Sequence, residues 1–202
     1  MAKIIVYYAH PGQTFSRANR AMAKRASNIE GITFVDLYAE YPRHDIDVGK
    51  EQTRLLEHDV IVFQFPLYWY STPSLLKEWQ DLVLQHGFAY GHGGDKLAGK
   101  TLLLAITAGG SDEAYTRDGY QQHTMRTFLT PLEQTAGLCQ MRFPPPYVLF
   151  GALKADEGVE LTHHIDGYVE LLTRIRDDKF KLKDATAEEL TCASDILSLS
   201  EE

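Results

Sequence analysis

The sequence predicts an α/β fold: a doubly wound domain built on a five-stranded parallel sheet, with helices on both faces. Two observations lead to this prediction. Short, β-rich runs are almost continuously apolar, which is typical of parallel strands buried on both faces. Several segments between them repeat apolar residues at steps of three and four, which is typical of amphipathic helices. The five apolar runs are residues 3–8, 32–37, 60–65, 101–107 and 147–153.

The apolar stripes predict four helices that alternate with these strands. Strand and helix alternation is typical of right-handed crossovers, which place helices on both faces of one sheet. The predicted stripes cover residues 15–29, 75–83, 125–136 and 161–175.

The length of 202 residues suits a single domain with one good-sized core. We predict that this domain covers residues 1–180. Residues 181–202 are acidic towards their end and are predicted to form a C-terminal tail or a loosely docked helix.

Composition excludes several classes of function. The formal net charge of −8 disfavours a nucleic-acid partner. No apolar run approaches the ~18 residues of a membrane span, and the N-terminus enters the first strand without a signal peptide, so we expect a cytoplasmic protein. Cys139 and Cys192 are too far apart for a CxxC pair or a zinc site, and no metal is expected.

The loop after the first strand, "AHPGQTFSRAN", resembles an anion site. Thr14 or Ser16 can cap the helix that follows, and the free N–H groups of a helix N-terminus favour a phosphate. His10 and Arg17 add further donors. The alternative is that these hydroxyls only cap the helix. The segment lacks the P-loop and Rossmann glycine patterns.

The loop after the third strand places Tyr68, Trp69 and Tyr70 between two prolines. Exposed aromatic clusters usually mark contact sites, so a planar ligand or another subunit is expected. We expect at least one ring to turn into the core, which would leave the main chain of residues 67–70 as the wall along a ligand.

The loop after the fourth strand begins with Thr107 and continues to Gly109 and Gly110. Paired glycines commonly make a turn, but at the carboxyl end of a strand they also allow close approach of a ligand. A phosphate pocket, an aromatic wall and a glycine wall at one sheet edge match the parts of flavin mononucleotide (FMN).

These segments carry a resemblance to a known family. The matching stretches are "AHP…SRAN", "FQFPLYWYSTPSLLKEW", "GHGGDKLAGK" and "TAGG…Y", and the similarity runs from residue 1 to about 178. The chain resembles the flavodoxin-like NAD(P)H:quinone oxidoreductases. Within them it is most similar to the Kef-type ancillary subunits of glutathione-regulated potassium-efflux systems, through "DLYAEYP", "FAYGHGG" and "LAGK".

The resemblance implies the roles of particular residues. Tyr115 matches a tyrosine that stabilises charge on the reduced flavin. The histidine that acts with it falls at Gln121 by simple counting, so His123, two residues on, is the candidate for a proton relay. The cofactor-binding set implied is His10, Ser16, Arg17, Ala18 and Asn19 around the phosphate and ribityl chain, Pro66, Leu67, Tyr68, Trp69 and Tyr70 along the ring, and Thr107, Ala108, Gly109, Gly110 and Tyr115 at its polar edge.

The resemblance also implies an activity and its partners. It implies an FMN-dependent rather than FAD-dependent NAD(P)H:quinone oxidoreductase, with two-electron hydride transfer and ping-pong kinetics because one site serves both substrates. The alternative is a regulatory subunit of a potassium-efflux transporter at the inner membrane, with secondary flavin chemistry. A homodimer is expected, with residues 87–94 as a candidate interface. A one-electron flavodoxin carrier is disfavoured by the "HPGQTFSR" loop.

Overall fold

The computed structural model describes residues 1–12, 16–154, 159–185 and 188–200. Its centre is a five-stranded sheet in the order β2-β1-β3-β4-β5, and every pair of neighbouring strands is parallel. The predicted fold class is therefore confirmed. The strands are β1 (Ile4–Tyr8), β2 (Ile32–Asp36), β3 (Val60–Pro66), β4 (Thr101–Thr107) and β5 (Tyr147–Leu149).

The last strand is shorter than its apolar run suggested. After Leu149 the backbone bends at Gly151, whose φ is +65°. The amide of Gly151 donates to the carbonyl of Gly110 at 2.7 Å, and that of Ala152 to the carbonyl of Ala108 at 2.9 Å. Residues 151 and 152 therefore contact the loop after β4 instead of extending the sheet.

Seven helices surround the sheet in the described part of the chain, together with short 3-10 turns at Asp112–Tyr115 and Ser198–Ser200. The four predicted helices are confirmed, although Phe15, the start of the first stripe, lies outside the described residues. The helices are α1 (Ala18–Ala26), α2 (Leu37–Glu40), α3 (Val48–Glu57), α4 (Ser74–Val83), α5 (Met125–Leu138), α6 (Val159–Arg176) and α7 (Ala193–Leu197).

The sheet separates two hydrophobic clusters. One lies under α3, α4 and α5 and contains Leu55, Trp79 and Leu129. The other lies under α1, α6 and α7 and contains Met22 and Tyr168. Both faces of the sheet are covered, which explains why its strands are continuously apolar.

Helix α3 was not predicted, because a buried carboxylate replaces part of its apolar stripe. Only Glu51 and Leu55 of this helix are buried. The Glu51 carboxylate, fully buried, accepts hydrogen bonds from the Tyr41 hydroxyl at 2.6 Å, the Arg54 guanidinium at 2.5 Å and the Trp79 indole at 3.1 Å. Burial of this charge is tolerated because it is paired and hydrogen-bonded.

The described part of residues 181–202 is attached more closely than a tail would be. The amide of Ala185 donates to the Phe143 carbonyl at 2.9 Å, and Thr191 pairs with Tyr147 beside β5. Ile196 on α7 is 1% exposed and packs in the α6 cluster. Residues 186, 187, 201 and 202 lie outside the described set. The domain boundary at residue 180 stays a prediction.

Among the described residues, none of the helices has both the length and the hydrophobicity that a membrane crossing requires. The same residues contain no group of three potential ligands placed to hold a metal ion. Cys139 is buried, Cys192 is exposed, and both are free thiols.

We predict that His164 makes the fold sensitive to acid. Its side chain is 4% exposed, and burial lowers its pKa to about 3. An unfolded histidine titrates near pH 6.5, so below that pH the unfolded chain binds a proton that the folded chain does not. Stability is complete above pH ~6.5 and falls with falling pH, by roughly 2 kcal/mol at about pH 5.

The His164→Phe variant retains a ring against Tyr147, whose centroid lies 4.5 Å from that of His164. Chemical unfolding at about pH 7 and about pH 5 should show a smaller loss of unfolding free energy in this variant than in the native protein. His92→Gln, at an exposed position in another part of the chain, is the control and should retain the native loss. An unchanged pH dependence in His164→Phe would contradict the prediction.

Candidate functional site

A cleft of about 240 Å³ lies at the carboxyl ends of β1, β3 and β4. The strand order reverses between β1 and β3, which is where ligands bind in open α/β sheets. Ten of its twelve lining residues were predicted, and they come from all three loops. The lining residues are His10, Ser16, Arg17, Ala18, Asn19, Pro66, Leu67, Tyr68, Thr107, Gly109, Ala152 and Leu153.

The remaining predicted residues do not line this cleft. Ala152 and Leu153 were missed because the run 147–153 was interpreted as one strand; the glycine at 151 is the sequence signal for the bend. The predicted residues outside the lining are Trp69, Tyr70, Ala108, Gly110, Tyr115 and His123.

His10 is positioned as a hydrogen-bond donor. Its Nδ1 accepts a hydrogen bond from the amide of Gly12 at 3.1 Å, so the neutral ring carries its proton on Nε2. Nε2 lies 3.4 Å from the hydroxyl of Tyr68, inside the cleft wall. The residue is 5% exposed, and burial lowers its pKa below the usual value. His10 is therefore neutral near pH 7 and offers an N–H group.

The start of α1 forms the other side of this end of the cleft. The helix begins at Ala18 after Arg17, whose side chain makes no capping hydrogen bond. The Ser16 hydroxyl accepts from the amide of Arg20 at 3.3 Å. Thr14, the other predicted cap, lies outside the described residues. Because the first N–H groups of a helix have no partner within the helix, this end can bind an anion.

The aromatic loop is a tight turn between Tyr68 and Ser71, which exchange two backbone hydrogen bonds of 3.0 and 3.1 Å. Trp69 and Tyr70, at its tip, have φ values of +50° and +63°, an unfavourable region for side-chain-bearing residues. Trp69 is 93% exposed, and Tyr70 stacks on Phe128 at 4.9 Å while staying 46% exposed.

All three rings of this turn are therefore exposed, because Tyr68 is 42% exposed as well. The expectation that at least one ring would be part of the core was wrong. The turn directs Trp69 to solvent, while Tyr68 contacts His10 edge to face at 5.6 Å.

The loop after β4 is held by its neighbours on both sides. The Leu67 amide donates to the Thr107 carbonyl at 2.9 Å, and the Ala108 amide to the Leu149 carbonyl at 2.8 Å. A Cβ added at Gly109 would lie 3.0 Å from a Leu153 methyl carbon, at the cleft wall. Glycine at this position therefore keeps the wall open.

Tyr115 ends the short 3-10 turn after this loop, and His123 lies two residues before the start of α5. Tyr115 is 9% exposed and packs on Phe128 and Phe150, and a Cβ added at Gly110 would lie 3.2 Å from its ring. Burial raises its pKa, so its hydroxyl is protonated at neutral pH. His123 is exposed, with Nδ1 3.1 Å from the Gln121 carbonyl and its ring 5.8 Å from Phe128. Within the described residues, Tyr115 and His123 share Phe128 but no hydrogen bond.

A second and larger cavity, about 440 Å³, opens beneath the C-terminal segment. Leu103 in mid-β4, Leu171, Ile196 and residues 180–183 contribute to its lining. None of the three loops reaches it. The smaller cleft, which lies at the carboxyl ends of the strands, is therefore the candidate functional site.

The fold and the cleft define the class: a doubly wound α/β protein with a cleft at its switch point. The family model for the flavodoxin-like fold, Flavodoxin_2, matches residues 2–172, and the chain belongs to this family.

Proteins with different names are similar to this chain in sequence and in structure. The glutathione-regulated potassium-efflux system ancillary protein KefG of Cronobacter sakazakii (strain ATCC BAA-894) is 46% identical over 167 residues, which are 83% of this chain and 90% of that protein. Among solved structures, a thermophilic tryptophan halogenase from Streptomycin violaceusniger is 43% identical with a TM-score of 0.80, covering 83% of this chain and 97% of that one.

Two further solved structures are similar to this chain. General stress protein 14 of Treponema denticola, solved in complex with FMN, is 30% identical with a TM-score of 0.78, covering 88% of this chain and 99% of that one. An NADPH-quinone reductase from P. pentosaceus is 27% identical with a TM-score of 0.72, covering 90% and 99%.

We predict that Gly109→Val narrows the cleft and weakens binding of FMN by about tenfold or more, because Gly109 lines the cleft and the added side chain would occupy its space. Titration of the protein into FMN, followed by flavin fluorescence, measures this. Gly137→Ala, at an exposed helix position with nothing within 4 Å, is the control. Native affinity in Gly109→Val would show that the glycine does not form the ligand wall.

Proposed function

We propose that this protein is an FMN-dependent NAD(P)H:quinone oxidoreductase that transfers two electrons as a hydride by a ping-pong mechanism. The observation that supports this most directly is the cleft: ten residues predicted from three separate loops line one cavity at the switch point of the sheet. The FMN-bound relative and the NADPH-quinone reductase support the cofactor and the reaction class.

The residues of the cleft fit the parts of FMN. The Nε2–H of His10, the Ser16 hydroxyl, the Arg17 guanidinium and the first N–H groups of α1 suit a terminal phosphate. Leu67 and Tyr68 would flank the ring, and residues 107–110 would meet its polar edge. FMN, which ends at this phosphate, is preferred over FAD.

When bound, the flavin supplies the hydride chemistry between a nicotinamide and a quinone. The protein contributes position and electrostatics. In this proposal, the backbone N–H groups of Gly109 and Gly110 and the protonated hydroxyl of Tyr115 stabilise negative charge at the polar edge. His123 is the candidate for moving a proton to solvent, from which it is accessible. One binding face for both substrates implies ping-pong kinetics.

A second proposal is that the protein is an ancillary subunit of a potassium-efflux transporter. The name of the Cronobacter relative favours it. Trp69, next to the cleft residue Tyr68 in the chain, is 93% exposed, and Tyr120 is 88% exposed; both offer apolar contact area at the surface. A cytoplasmic homodimer, joined through residues 87–94 and bound to the transporter at the inner membrane, is part of this proposal, which is compatible with quinone reduction.

One spectroscopic experiment tests whether the protein has the proposed oxidoreductase activity. The purified protein with added FMN is given NADPH without oxygen, and menadione follows. Bleaching of the flavin absorbance and its return with the quinone would support the oxidoreductase. A bound flavin that NADPH leaves oxidised would favour the ancillary subunit, and a protein that binds no flavin would contradict the assignment of the cleft.

We predict that Arg17→Ala weakens FMN binding by roughly tenfold to a hundredfold while changing riboflavin binding little, because only FMN carries the phosphate. Fluorescence titrations with both ligands measure the two affinities. Arg25→Ala, which removes a guanidinium at the far end of α1 that pairs with Asp166, is the control. Equal loss for both ligands would place the phosphate elsewhere.

A further inference from the structure

We propose that Tyr168, Gln64 and Asn19 are positioning residues that orient the hydroxyl group of Thr107 as a hydrogen-bond donor into the cleft, towards the polar edge of the flavin ring. The inference rests on the proposed FMN site and identifies the residues that make the Thr107 hydroxyl, in the wall of that site, a hydrogen-bond donor. Tyr168 and Gln64 are absent from the cleft lining, so they act through Asn19 and Thr107.

The four side chains form a continuous series of hydrogen bonds across four elements of the fold. The Tyr168 hydroxyl on α6 donates to Oε1 of Gln64 on β3 at 3.3 Å. Nε2 of Gln64 donates to the Asn19 carbonyl at 2.9 Å and to Asn19 Oδ1 at 3.3 Å. Nδ2 of Asn19 donates to Oγ1 of Thr107, at the end of β4, at 2.5 Å.

The four hydrogen-bonded side chains are also shielded from solvent. Tyr168 and Gln64 are fully buried, Asn19 is 2% exposed and Thr107 is 6% exposed. Burial raises the pKa of Tyr168 well above its usual value, so its hydroxyl keeps its proton and acts as a donor. In such surroundings each donor and acceptor has to be matched, because an unpaired one costs about 1–3 kcal/mol.

The direction of the chain is fixed by one backbone atom. A carbonyl oxygen can only accept, so the Gln64 atom that faces the Asn19 carbonyl must be the NH₂ nitrogen. Oε1 of Gln64 therefore faces Tyr168, and the second proton of Nε2 faces an oxygen of the Asn19 side chain. Asn19 must then present its own NH₂ group to Thr107. Neither amide can be turned over without opposing two like atoms.

The consequence lies in the remaining proton of Thr107. Its hydroxyl group has one proton and two lone pairs, and the Asn19 amide occupies a lone pair. The proton is left for another acceptor, and Thr107 lines the cleft. A hydroxyl that accepts from an amide is also a better donor, because hydrogen bonds in a chain polarise one another. Such a donor stabilises negative charge and therefore favours the reduced flavin over the oxidised one.

A double-mutant cycle tests this orientation. The readout is the ratio of the dissociation constants of oxidised and reduced FMN, obtained from anaerobic titrations or from the midpoint potential of bound FMN. Thr107→Val keeps the shape of the side chain and removes the donor. Its expected effect is an about tenfold loss of preference for reduced FMN, equivalent to about 30 mV for a two-electron couple. Thr107→Ser should restore the preference.

The second mutation reverses the direction of the hydrogen bond between residue 19 and Thr107. Asn19→Asp introduces a side chain that, when ionised, only accepts, so the Thr107 proton turns away from the cleft. Measurements at about pH 9 keep the buried carboxyl ionised. In this background Thr107→Val should change the ratio of the two dissociation constants less than about twofold. The new charge is present both with and without Thr107→Val, so its direct effect cancels in this comparison. Gln64→Met, which releases the Asn19 amide, is the second background if Asn19→Asp does not fold.

The outcomes are distinct. A large effect of Thr107→Val in the native background that nearly disappears in Asn19→Asp or Gln64→Met supports the relay. The same effect in every background, or no effect in a native protein that binds FMN, overturns it and leaves the proposed function intact. A native protein that binds no FMN overturns the proposed function itself.

Discussion

The structure depends on one buried amide in the middle of the sheet. Gln64 lies in the central strand β3 with no exposed surface, so its oxygen and its NH₂ group have to find partners within the protein. The partners are Tyr168 on α6 and both oxygens of Asn19 on α1. Because α1 and α6 lie on the same face of the sheet, this requirement fixes where the two helices sit. It also fixes the end of α1 at which the proposed phosphate site begins.

The opposite face has a comparable constraint in Glu51. Its buried carboxylate joins α3 to Tyr41 and to Trp79 on α4, with Arg54 balancing the charge. A buried ion pair is weak evidence for stability, but removal of one partner leaves an uncompensated charge. Each face thus contains one polar group that accepts only a few arrangements of its helices. The apolar residues around this polar group contribute buried surface but do not specify how the helices are oriented on the sheet.

The strands and four helices could be predicted because the local spacing of their apolar residues indicates which positions are buried. Helix α3 could not, because Glu51 occupies a buried position where the pattern requires an apolar residue. The aromatic turn was misjudged for a related reason. Trp69 and Tyr70 adopt positive φ without the glycine or asparagine that usually signals such a turn, and the turn carries their rings outwards. The attachment of α7 depends on Thr191 and Ile196, which meet their partners only in the folded chain.

The cleft shows the same division between local and distant information. Each loop could be identified from its own residues, since a helix start, an aromatic run and paired glycines are short patterns. The hydrogen bonds that orient the cleft join residues 45, 88 and 104 positions apart, and no pattern in the sequence relates them. They form because folding brings the ends of β1, β3 and β4 to one edge of the sheet and packs α6 against the same sheet. A residue such as Tyr168, which touches no ligand, thereby determines how Thr107 presents its proton.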